Sequence, residues 1–242
     1  MTKKPPNAAA LSAENSFFDR YSRQYETQLQ KGLSLTGESA DYYAQQRVKW
    51  LKKKLDRLGF RGASLLDFGC GVGNAVPYFF AALGVRRVVG VDPSSSSLRE
   101  ARNSCPSPAV SFVHPDDLLA ENEFDIAFCN GVFHHIPPVA RIEALQTIWK
   151  ALKPGGLFAF WENNPWNPGT RFVMSRIEFD KDAITINPWE AQKLLKKARF
   201  VSLSTDYLFI FPKVLNCCRF IEPFVSALPL GGQYMVLCKK TV

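Results

Sequence analysis

Two periodicities divide the chain. In residues 16–61 apolar side chains recur every three or four positions, first Phe17, Phe18, Tyr21 and Tyr25, later Val48, Leu51, Leu55 and Leu58. That is the spacing of helices with one buried face. A turn-rich stretch, 31–37, separates the two helical patterns, and the first dozen residues read as a frayed tail. From residue 64 the apolar positions come instead as short runs, at 65–68, 88–91, 110–113, 124–129 and 157–161, each followed by a helical pattern. Continuous short runs predict strands buried on both faces, and their alternation with helices predicts a parallel sheet covered on both sides.

Later segments add detail. Asn187, Pro188 and Glu190 form a helix start, with a capping side chain, a proline at the first position and a reciprocal acid, and Leu194 and Leu195 face inward. The serines at 94–97 predict a cap for a helix starting near Leu98, and further strands are expected at 200–211 and 233–239. Residues 214–228 are amphipathic at helical spacing through Val214, Cys218, Ile221, Val225 and Leu228, with Pro223 as a kink. This segment is expected to pack against the domain and, with 165–182, to roof an acceptor pocket. The predicted architecture is α/β: a doubly wound, mostly parallel, seven-stranded sheet with helices on both faces. Residues 1–62 form a tail and N-terminal helical cap, and 63–242 form the main domain, with insertions at about 163–187 and 212–231.

Composition narrows the class. With 46% hydrophobic and 21% charged residues over 242 positions, the chain suits neither a disordered nor a membrane protein. A core of that size needs no staple. The apolar stretch at 75–85 is broken by Pro77 and Gly84, and that at 207–211 stops at Pro212, so neither nears the roughly 20 residues a bilayer requires. The N-terminus lacks the apolar stretch of a secretory signal, which makes a cytoplasmic location the expectation. The six cysteines, at 70, 105, 129, 217, 218 and 238, contain no Cys-x-x-Cys spacing. Reduced thiols are expected, with no metal site. The net charge of +8 is uneven: +6 over 1–62, −3 over 63–162 and +5 over 163–242. That balance suits an RNA partner, an anionic small substrate or a solvated helix face.

The chemistry concentrates where the first strand pattern runs through Asp67 into Gly69, Cys70, Gly71, Val72 and Gly73. Glycines permit positive φ and close backbone approach, so such a loop can wrap an extended small molecule at the carboxyl edge of a sheet. A dinucleotide fingerprint would need a third glycine where Asn74 stands. Asp92, followed by Pro93, ends the second strand run, where a carboxylate can accept from both hydroxyls of a ribose. Asp116 and Asp117 follow the third run, where a carboxylate can accept from an adenine amine.

In this order the motifs resemble those of the class I S-adenosylmethionine-dependent methyltransferases, over about residues 17–161. The resemblance implies a Rossmann-like fold and S-adenosylmethionine as cofactor. The glycine loop with Asp67, Gly69, Cys70, Gly71 and Gly73 would hold the cofactor, Asp92 and Pro93 its ribose, and Asp116 or Asp117 its adenine. Asn130, His134 and His135 fall in the stretch resembling the motif after the fourth strand, and 152–156 resembles the turn before the fifth. Tyr25, with Tyr21 second, would lay an aromatic ring over the methionine part, and Arg47 would reach its carboxylate.

For the transfer itself, His135 and His134 are the candidate bases, since imidazole titrates near neutrality. The alternative is that one of them only shapes its loop. Glu162, at the end of the fifth strand, either orients the acceptor or serves as base, or else it is a structural carboxylate holding the Asn-rich loop that follows. His114 is expected on the adenine side or in solvent. Asn164, Pro165 and Trp166 look superficially like the motif of amino-methylating nucleic-acid enzymes, but they follow the fifth strand instead of the fourth. The expected activity is methyl transfer to a small-molecule acceptor, at oxygen in preference to nitrogen or carbon. An RNA-directed methyltransferase, suggested by Lys49, Lys52, Lys53, Lys54, Arg57 and Arg61, and a non-catalytic cofactor-binding scaffold are the alternatives. Nucleic acid is the less favoured partner, no stable membrane insertion is expected, and the oligomeric state stays open.

Overall fold

The computed structural model describes residues 36–180 and 183–241, together with Gly32. Among the described residues seven strands form: β1 Ser64–Phe68, β2 Arg87–Val91, β3 Val110–Val113, β4 Phe124–Asn130, β5 Leu152–Asn163, β6 Phe200–Leu208 and β7 Gln233–Lys240. They make one sheet in the order β3-β2-β1-β4-β5-β7-β6, parallel except for β7, which runs against β5 and β6. All five residues of β1 are buried, as a central strand covered on both faces requires. Connections leave β1 for β2 on one side while β4 lies on the other. Their carboxyl ends therefore border the crevice where open α/β sheets take ligands.

The helices are α1 Ala40–Arg57, α2 Val76–Tyr78 continuing as a π-turn over Phe79–Leu83, α3 Ser95–Ser104, α4 Arg141–Ala151, α5 Pro168–Met174, α6 Pro188–Lys197 and α7 Glu222–Val225. Val48, Leu51 and Leu55 of α1 share one core with Leu65, Val88 and Trp161, so the described part of the N-terminal cap completes a face of the sheet. The other face is closed by Leu145 and Ile148 of α4 and by Ala191 and Leu195 of α6. The expected caps form: Ser94 Oγ accepts from the Ser97 amide at 3.1 Å. Asn187 Oδ1 accepts from the Trp189 and Glu190 amides at 3.1 and 3.0 Å, while Glu190 accepts from the Asn187 amide at 3.1 Å.

Two expectations need correction. The strand expected over 200–211 ends at Leu208, because Phe209 turns out of the sheet with φ +63°. The segment at 214–228 is not one helix packed on the domain. It forms a 3₁₀ stretch, Lys213–Ile221, interrupted at Leu215, followed by the short α7. A three-residue turn scatters side chains spaced for an α-helix, and Val214, Phe220 and Phe224 stay 83%, 72% and 85% exposed. Polar contacts anchor the segment instead. Glu222 Oε1 accepts from the Ile210 and Phe211 amides at 3.1 and 3.0 Å, and Arg219 pairs with Glu38 at 2.9 Å. Among the described residues no helix is long and apolar enough to cross a membrane.

Candidate active site

The glycine loop is shaped by its neighbours. Gly69 has φ +78°, and a Cβ there would lie 2.1 Å from Cγ2 of Val132, so both backbone and packing require glycine. The amides of Gly69 and Cys70 donate to the Val91 carbonyl at 2.7 and 3.0 Å. Asp92 completes the clamp: its Oδ2 accepts from the Gly71 amide and its Oδ1 from the Ser94 amide, both at 2.9 Å, across the turn through Pro93. The carboxylate expected at the ribose thus also fixes the loop that faces it.

A cavity of about 560 Å³ opens between this loop, the turn after β4 and the roof formed by α5. Of the expected site residues, Arg47, Asp67, Gly69, Cys70, Gly71, Asn130, His134 and His135 line it. Asp92, Pro93 and Gly73 lie behind or beside the loop and do not border the cavity. Asp116 and Asp117 stand exposed in a 3₁₀ turn, Pro115–Asp117, away from its wall. His114 organises that turn, with its Nδ1 accepting from the Asp116 amide at 3.3 Å. Tyr21 and Tyr25 lie outside the described residues. The roof is half as predicted: Asn167, Thr170, Phe172 and Ile177 border the cavity, but from the second insertion only its stem, through Phe211 and Pro212, does so.

Charge is distributed unevenly around this space. Burial, and then the neighbouring Asp92 carboxylate, push the Asp67 carboxyl up to about 8. Asn130 Oδ1 is buried and accepts no hydrogen bond among the described residues. Across the cavity, Arg47 Nε donates to Gln233 Oε1 at 2.8 Å, and its guanidinium lies 5.8 Å from the ring centres of both Tyr43 and Phe209.

The opposite end of the cavity is built around two histidines. The turn after β4 begins at Gly131, with φ +66°, and folds so that the His135 amide donates to the Val132 carbonyl at 3.0 Å. His134 Nδ1 is 2.6 Å from Glu162 Oε2, and the other Glu162 oxygen accepts from the Phe133 amide at 2.7 Å. Nε2 of each histidine is 3.5 Å from Oδ1 of Asp180. Burial alone would lower His134, but the carboxylates of Glu162 and Asp180 outweigh it and raise its pKa to about 10. Burial, and then the His134 charge, push His135 down to about 2.

These environments bear on the roles expected of the three residues. Glu162 is 1% exposed, spends both oxygens on the turn, and does not border the cavity, so it positions His134 and cannot serve as base to an acceptor. His134 already carries its proton at neutral pH. His135 is uncharged and faces the cavity, but a nitrogen of such low basicity orients an acceptor far better than it extracts a proton. Asp180 was assigned no role from sequence. It is brought in by a 3₁₀ turn, Glu178–Asp180, in the insertion after α5, and no local pattern marks it.

Comparison with known proteins bears on the fold and on the kind of domain. Residues 66–158, from β1 into β5, match the model of a methyltransferase domain. Over that segment the chain is similar to S-adenosylmethionine-dependent methyltransferases. It is 31% identical to trans-aconitate 2-methyltransferase of Azoarcus sp. (strain BH72) over 153 residues, covering 62% of this chain and 56% of that one. It is 28% identical to the trans-aconitate 2-methyltransferase of Rhodopseudomonas palustris (strain BisB18) over 126 residues, covering 52% and 46%. The chain thus spans about half the length of these curated relatives. The fold is similar to that of 1,6-didemethyltoxoflavin-N1-methyltransferase from Burkholderia thailandensis, solved with bound 1,6-didemethyltoxoflavin and S-adenosylhomocysteine. The TM-score is 0.61 at 21% identity, covering 100% of this chain and 94% of that one.

Proposed function

We propose that the protein transfers the methyl group of S-adenosylmethionine to an oxygen of a small-molecule acceptor. The observation that carries this reading is one cavity with two chemically distinct ends, the glycine loop with Asp67 at one and the pair His134 and His135 with Asp180 at the other. A sulfonium methyl is displaced in line, so the chain's main contributions are alignment and exclusion of water. Asp67, Gly69, Gly71 and Asn130 would hold the cofactor from the sheet side, Arg47 would take its carboxylate bidentately, and Asp92 would keep the loop closed on its ribose. Asp116 and Asp117, and Tyr25 over the methionine part, complete the proposed cofactor set. His135 would orient the acceptor, with His134 fixed behind it by Glu162.

The names of the curated relatives favour an anionic, carboxylate-bearing acceptor. A carboxylate oxygen needs no base, which fits a cavity whose imidazoles are one protonated and one weakly basic. The test is calorimetric titration with S-adenosylhomocysteine, followed by incubation with methyl-labelled cofactor and a metabolite extract. Saturable binding and a labelled small carboxylate ester or ether are expected. Absence of any cofactor affinity in the pure protein would overturn the proposal.

A further inference from the structure

We propose that His134, His135 and Asp180 bind one divalent transition-metal ion, which holds the acceptor oxygen. This rests on the reading above that this end of the cavity receives the acceptor. Two imidazoles and one carboxylate each offer a donor atom here, all within 4.8 Å of one another. The separations of 3.5 Å between each Nε2 and Asp180 Oδ1 are long for hydrogen bonds. They suit shared coordination: metal bonds of about 2.1 Å at near-tetrahedral angles place donor atoms about 3.4 Å apart.

Two independent features support the assignment. Asp180 Oδ1 is buried with no hydrogen-bond partner among the described residues, in a residue only 9% exposed. The protonated His134 faces it at 3.5 Å, and a metal ion that displaces the Nε2 proton to solvent would satisfy the oxygen at coordination distance. Behind His134, Glu162 occupies Nδ1 at 2.6 Å and leaves Nε2 turned towards Asp180. A carboxylate on the far nitrogen is how proteins fix the tautomer and orientation of a metal-binding imidazole. Imidazole donors select zinc, iron, cobalt or nickel over magnesium and calcium, which prefer all-oxygen sites. The missing Cys-x-x-Cys excluded only a thiolate site, so this cluster was invisible to the cysteine count.

All three ligands border the cavity, which leaves coordination positions open to it. An acceptor carboxylate would bind there directly. A hydroxyl acceptor bound to the ion would lose its proton to solvent water. Its oxygen lone pair then forms the C–O bond while the C–S bond breaks, the electron pair leaving on sulfur to give S-adenosylhomocysteine. With the charges of Glu162 and Asp180 offset by the ion, this end of the cavity becomes receptive to an oxyanion.

The experiment is titration of the chelator-stripped full chain with Co²⁺, followed by visible ligand-field absorption. Saturation at one equivalent is expected. Asp180→Ala and His135→Ala should weaken binding by more than the about 10- to 100-fold expected for Glu162→Gln, which alters only the group behind His134. Circular dichroism of each variant establishes that it is folded. No saturating absorption, or a Co²⁺ affinity unchanged in Asp180→Ala and His135→Ala, would overturn the site. Cofactor-product affinity measured on the same samples separates the two ideas. S-adenosylhomocysteine binding without Co²⁺ binding removes the metal alone, and Co²⁺ binding without S-adenosylhomocysteine binding removes the methyltransferase reading alone.

Discussion

Asp67 and Asp92 stand at the tips of adjacent strands, and their proximity in a buried crevice sets how the site responds to a cationic ligand. A carboxyl that keeps its proton until about pH 8 should give it up when a sulfonium and an ammonium arrive beside it. Cofactor affinity is therefore expected to rise from pH 6 to pH 8, with proton release visible as a dependence of calorimetric heat on buffer ionisation enthalpy. Asp67→Asn should abolish that dependence, and a wild-type heat identical in all buffers would refute it. His134 makes the opposite statement about stability. Its folded pKa of about 10 lies above the unfolded value near 6.5. The contribution of its pairing with Glu162 is thus complete below about pH 6.5 and lost as pH climbs towards 10. Urea unfolding should show wild-type stability falling across that window, with a flatter profile in Glu162→Gln and a loss of about 3–5 kcal/mol in Glu162→Ala at pH 6. His135→Ala should spare cofactor binding and reduce turnover, whereas unchanged turnover would remove it from the acceptor site. The glycines, Asp92 and the histidine pair were legible because each belongs to a short motif at a strand end. Asp180 was not, since its place depends on how an insertion folds back over the sheet.

At the level of elements, local chemistry was a reliable guide wherever it was redundant. The helix α6 carries a capping side chain, a proline and a reciprocal glutamate at its start, and it begins where those signals place it. Asn187→Ala should cost about 1 kcal/mol, read as a shift in the urea midpoint without a change in slope. The segment at 212–231 had only apolar spacing to go by, and spacing cannot tell a helix docked on a core from a 3₁₀ strap held by Arg219 and Glu222. Since Phe220 and Phe224 face outwards, Phe220→Ser with Phe224→Ser should change stability by no more than about 0.5 kcal/mol per site. Loss of several kcal/mol would show that those rings are buried in solution after all. The strands were legible for a related reason. A parallel sheet buried on both faces demands nearly continuous apolar runs, and in β1, β2 and β4 single polar residues such as Asp67 and Asp125 interrupt them without setting up an alternative period.

Across the whole molecule, the excess positive charge lies outside the part of the chain that builds the cofactor crevice, which carries −3 over 63–162. The sequence showed six basic residues, five along what became α1 and Arg61 just beyond it, a stripe that would suit RNA phosphates. The fold commits most of them elsewhere. Lys54 pairs with Asp206 of β6 at 2.9 Å, Lys52 and Arg61 both engage Asp56, and Lys53 lies 4.8 Å from the Trp50 ring centre. The exposed pairs on Asp56 are weak, about 0–1 kcal/mol each, and the Lys54 pair is largely buried, yet each lowers the positive potential that a polyanion would meet. An RNA reader using all six cations would lose affinity with a slope of about −4 in log K against log salt for single-stranded RNA. The expected outcome in fluorescence anisotropy is weak binding with a much shallower slope, because few of the six are free to release counterions. A slope near −4, reduced by about 0.7 for each of Lys49→Ala and Arg57→Ala, would instead establish α1 as a phosphate-binding face and return the acceptor question to RNA.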